Sequence, residues 1–98
     1  MELEKKSFMS TIEDIQSLIE NDCPEQAIKA LDTLITQTSK DDHLFYLRGK
    51  AYLKTSNWQK ALENFLEAKY LNPESPAQEA LAMTNQILDF YHKDVYGQ

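Results

Sequence analysis

The sequence predicts an all-α domain of five helices. Three observations carry that expectation. Apolar residues recur every three or four positions along almost the whole 98-residue chain, which is the spacing of one helix face. Only 2 Gly and 3 Pro are present, too few to turn the many short strands of an all-β fold. The breaks between apolar runs are short and rich in helix-capping residues. The length fits one domain, residues 1–98, able to bury roughly two-thirds of its unfolded surface.

The first helix, 9–21, rests on Ile12, Ile15, Leu18 and Ile19, and Asn21-Asp22 interrupts it. The second, 24–37, opens on Asp22-Cys23-Pro24-Glu25. Here Asp22 is expected to cap, Pro24 suits the first turn, and Glu25 can reach back to the cap. This helix carries Ala27, Ile28, Leu31, Leu34 and Ile35, and it ends where Gln37 to Asp41 offer nothing to bury. The third, 42–55, begins at Asp41 or Asp42, since an acid suits the positive end of the helix dipole. Leu44, Phe45, Leu47, Tyr52 and Leu53 are its apolar residues, and Thr55-Ser56-Asn57 breaks it. Ser56 or Asn57 can cap the fourth helix, 58–71, which carries Trp58, Ala61, Leu62, Phe65, Leu66 and Ala68. It stops before Asn72-Pro73, because the residue before proline avoids helical angles. Ser75-Pro76-Ala77-Gln78 reads as a second capping box and opens the fifth helix, 76–92, with Ala80, Leu81, Met83, Ile87, Leu88, Phe90 and Tyr91. Residues 1–8 either extend the first helix or stand mobile, and the residues from Val95 onward are expected to fray.

Charge narrows the function. The net charge is −6, which repels phosphate backbones and disfavours nucleic acid as a partner. Its distribution is uneven: residues 1–41 carry −5, residues 42–72 carry +2 and residues 73–98 carry −3. The middle of the chain is a basic island. No run approaches the ~18 apolar residues of a membrane span, and the first residues lack a signal-peptide pattern, so a cytoplasmic protein is expected. The single Cys23 cannot form an internal disulfide. Cys23 with His43 lacks any nucleophile–base motif, and Cys23 reads as a turn residue. His43 and His92 lack partners at metal-ligand spacing, and both glycines are isolated rather than part of a phosphate loop. Neither an enzyme nor a cofactor is expected.

A repeat emerges at a fixed offset. Ala27 and Ala61, Leu31 and Phe65, and Leu34 and Ala68 are each 34 residues apart. The second unit reads Phe45-x-x-Arg48-Gly49-x-x-Tyr52, then Trp58-x-x-Ala61-x-x-x-Phe65-x-x-Ala68-x-x-x-x-Pro73. Gly49, Ala61 and Ala68 are small where two helices must cross, and Phe45, Tyr52 and Phe65 are large where the space between them must be filled. This unit resembles the tetratricopeptide repeat, whose period is about 34 residues. Arg48 stands where that pattern has Leu; its stem is expected to cover apolar surface while its charge reaches water. The first unit keeps Ala27 but has Ile15 at the small position and Ser39 at the proline position. The resemblance implies a right-handed superhelix of antiparallel pairs: repeat 1 at 8–41, repeat 2 at 42–75 and a capping helix at 76–92.

What that resemblance implies about function is a non-enzymatic adaptor that holds a segment of another protein in a concave groove. Carried onto this chain, the groove is lined by Ile12, Gln16 and Ile19, then His43, Tyr46, Lys50, Leu53 and Lys54, then Ala80 and Thr84. His43, Tyr46, Lys50 and Lys54 share one face of the third helix by their spacing. They lie in the basic island, which suits an acidic or C-terminal peptide. The competing reading is that Lys50 and Lys54 merely balance Glu13 and Glu20. The chaperone-type carboxylate clamp is absent, because its positions hold Ile12, Gln16, Leu47, Ala77 and Leu81. Tyr70, Phe90, Tyr91 and Tyr96 are expected to pack the fifth helix on the fourth; any surplus would mark a dimer or partner patch. A monomer is expected, with self-assembly through the aromatic C-terminal helix as the alternative.

Overall fold

The computed structural model describes residues 11–95. They form α1 (Thr11–Glu20), α2 (Pro24–Gln37), α3 (Asp42–Lys54), α4 (Trp58–Leu71) and α5 (Ala77–Val95), with no strand among the described residues. The chain is thus all-helical, as expected. α5 runs on to Val95 rather than stopping at 92. The expectations placed on residues 1–8, on Tyr96 and on the side chains of Tyr91 and His92 lie outside what is described.

Helix ends follow local chemistry. The Asp41 carboxylate accepts from the His43 backbone N–H at 3.0 Å, and the Asn57 side chain accepts from the Lys60 N–H at 3.3 Å. The buried Ser75 hydroxyl accepts from the Ala77 N–H at 3.0 Å. At α2 the expectation fails: its cap residue is Cys23, with no side-chain capping bond. Asp22 instead closes α1. It has φ 64°, and the Cys23 N–H reaches back to the Leu18 carbonyl at 2.7 Å, the signature of a Schellman motif. The left-handed backbone makes Asp22 the last residue of one helix end rather than the first of the next. Ser56 repeats this: φ is 61°, and the Asn57 N–H donates to the Tyr52 carbonyl at 2.9 Å. Asp22 and Ser56 are 34 residues apart, so the repeat extends to the turns.

Two apolar clusters hold the helices together. Ile15, Ile19, Ala27, Leu31, Leu44, Leu47 and Ala51 join α1, α2 and α3. Phe45, Ala61, Phe65, Ala68 and Ala77 join α3, α4 and α5. α3 therefore belongs to both. Gly49 is needed at its crossing with α4, because a Cβ there would fall within 3 Å of three atoms of the Phe65 ring. Phe45, Gly49, Ala61, Phe65 and Ala68 are all buried, as the repeat pattern requires, and Tyr52 is half-buried.

α5 does not repeat the seating of α3. α3 buries Leu44, Leu47 and Ala51, and 34 residues further on stand Gln78, Leu81 and Asn85. The amides of Gln78 and Asn85 cannot enter an apolar seam without losing hydrogen bonds, and both residues stay exposed. α5 instead buries Ala77 and Thr84, with Ala80 and Leu81 packed beside them.

Candidate functional site

α3 turns two different faces outward, and each carries polar chemistry. The first holds most of the expected groove residues. His43 and Tyr46 have ring centroids 6.3 Å apart, and the Lys50 Nζ stands 5.2 Å from the centroid of the Tyr46 ring. An open cavity of about 390 Å³ separates α1 from α3, lined by Gln16, Ile19, Glu20, Leu47, Lys50 and Lys54. The fold thus gathers Gln16, Lys50 and Lys54 around one cavity, with Ile19 and Leu47 as apolar lining.

Other expected groove residues serve the core. Tyr46 is half-buried, packs against both apolar clusters, and sits 6.1 Å from Phe65 between ring centroids. Ile12 packs on the first cluster, and Leu53 and Ala80 pack on the second. Thr84 is a correction: it is fully buried, and its hydroxyl donates to the Ala80 carbonyl at 2.7 Å. The altered seating of α5 turns it inward, so it cannot line a groove.

The charge balance also differs from either sequence reading. Lys54 Nζ lies 3.6 Å from the Asp22 carboxylate, and both side chains are well exposed. Glu13 is not its partner. Glu20 does line the same cavity. Among the described residues, Lys50 has no carboxylate within 4 Å, which leaves it as the cation that this cavity offers to a ligand.

The opposite face of α3 carries a network that sequence reasoning missed. Arg48 donates from Nε to the Asn64 side-chain oxygen at 2.7 Å and from an Nη to the Asp32 carboxylate at 2.7 Å. Its guanidinium lies 5.5 Å from the Phe45 ring centroid. Asn64 is 5% exposed, and its amide donates to the Lys60 carbonyl at 2.8 Å. The Arg48 charge is therefore tied down rather than free in water. The available signal was Asn64 itself: an amide on the same α4 face as Ala61 and Ala68 must find a partner when buried.

The aromatic C-terminal surface is more open than expected. Tyr70 is 82% exposed and Phe90 69%, so neither serves mainly to seat α5 on α4. Met83 is half-exposed and lies seven residues before Phe90, on the same face of α5. No helix among the described residues is long and apolar enough to cross a membrane, and no cluster of three His, Cys, Asp or Glu there could hold a metal ion.

No family model and no curated protein matches the chain. Among solved structures it is similar to the solution NMR structure of Bacteroides fragilis protein BF1650. The two are 42% identical, with 88% of each chain covered and a TM-score of 0.77. At that identity over that length, the chain belongs to the same family as BF1650.

Proposed function

We propose that the protein is a small tetratricopeptide-type adaptor, built as a right-handed superhelix, that binds an acidic or carboxylate-bearing segment of another protein along the face shared by α1 and α3. The 34-residue offsets support the architecture: they hold for Ala27 with Ala61 and for the turn residues Asp22 with Ser56. The observation that carries the binding reading is the placement of Lys50 beside the Tyr46 ring, at a cavity lined with Ile19 and Leu47. A ligand carboxylate meets Lys50 and Gln16 while a neighbouring apolar side chain covers Ile19 and Leu47. Catalysis has no part in this reading, and the setting proposed is the cytoplasm.

The test starts from a partner captured by cross-linking in the source cell and then purified. Lys50→Glu should slow association with it and flatten the salt dependence of the rate, because exposed charges mainly steer encounter. Equal association rates for parent and variant at both low and high salt would remove this reading. Tyr46→Ala is a poorer probe, since Tyr46 also packs both cores. The alternative, self-association through α5, draws on the exposed Met83 and Phe90. A mass that rises with concentration and reverts in Phe90→Ser would favour it.

A further inference from the structure

The two helix pairs meet along an apolar seam. Leu31 of α2 and Leu44 and Leu47 of α3 lie in one buried cluster. Apolar contact is non-directional, so such a seam resists separation better than it resists a small rotation. Hydrogen bonds do fix direction, because they weaken steeply when misaligned. Across this seam the directional bonds are few. On the outer side, Arg48 of α3 holds Asp32 of α2 with one arm and Asn64 of α4 with another, each at 2.7 Å. On the inner side stands Lys54 with Asp22 at 3.6 Å, exposed and weak. α2 and α4 each pack on α3 rather than on one another.

We infer that Arg48 is an angular tether: it sets the tilt between the α1–α2 pair and the α3–α4 pair, and so the width of the cavity between α1 and α3. The geometry is that of a lever. The seam is the fulcrum, the Arg48–Asp32 bond lies on one side, and the cavity lined by Gln16, Ile19, Leu47 and Lys50 lies on the other. The Arg48 side chain is 22% exposed and rests over the Phe45 ring, so water and salt screen its bond to Asp32 less than they screen the Lys54 pair. The planar fork is also the only side chain able to hold a carboxylate and an amide at fixed mutual angles; a lysine cannot substitute. This role holds whatever the groove binds.

The experiment measures geometry, not stability. In a Cys23→Ser background, nitroxide labels at Ser17→Cys on α1 and Gln59→Cys on α4 report the distance between pairs by pulsed electron resonance. Both positions are exposed. A second label pair within the α3–α4 unit, at Lys50→Cys and Gln59→Cys, is the control. Asp32 is half-exposed, so Asp32→Ala cuts the tether with little risk to folding. The expected result is a displaced or broadened distribution between pairs, an unchanged one within the pair, and a cooperative melt close to the parent's. Arg48→Lys should behave like Asp32→Ala. A distribution between pairs that matches the parent in folded Asp32→Ala overturns the inference, and so does an equal change in the control pair.

Discussion

The two helix pairs cross by different means at equivalent positions. In the second, Gly49 leaves room for the Phe65 ring to lie against α3. In the first, the equivalents are Ile15 and Leu31, and both are buried to 1% or less. One pair is built small against large, and the other medium against medium. The crossing therefore conserves summed volume rather than residue identity, as close packing allows. This also explains why the first pair matches the repeat pattern poorly and yet folds.

The contrast is most vulnerable at Phe65. Phe65→Ala empties the second crossing and should cost about 3–5 kcal/mol, read by denaturant unfolding. Gly49→Ile overpacks it and should cost on the order of 1–3 kcal/mol, although replacing glycine inside a helix ordinarily stabilises. A more exacting experiment rewrites the second pair as the first. Gly49→Ile combined with Phe65→Leu should cost less than the two single changes summed, with a coupling of roughly 0.5–3 kcal/mol. Strict additivity would show that the pairs do not trade volume.

The pairs differ in their caps as well. α3 is capped by the Asp41 carboxylate, whereas Cys23 gives α2 no side-chain cap bond. Asp41→Ala should cost about 1 kcal/mol. Cys23→Ser, which supplies the missing acceptor, should leave stability unchanged or raise it by about 0.5 kcal/mol. A loss at Cys23 as large as that at Asp41 would mean the half-buried sulfur matters for packing instead. The smallest effect belongs to the inner ion pair. Asp22→Asn keeps a residue tolerant of the left-handed backbone and should shift stability by less than about 1 kcal/mol.

The five helices, their breaks and the period between pairs were all legible in the sequence. These depend on local signals: apolar spacing, capping residues and the small positions Gly49, Ala61 and Ala68. The same signals placed Tyr46, Lys50 and Lys54 on one face, which helical geometry dictates. How those faces were used depended on tertiary packing. Asp22 became the end of α1 because a chain-reversing bond to Leu18 claimed it before α2 could. Thr84 left the groove because Gln78 and Asn85 forced α5 to seat on another face. Arg48 found Asp32 and Asn64, each 16 residues away in sequence, and no local pattern encodes a bond of that span. Local periodicity fixes which residues share a helix face; which face meets which neighbour depends on the packing of whole helices, where one misfit polar side chain or one buried amide can change the outcome.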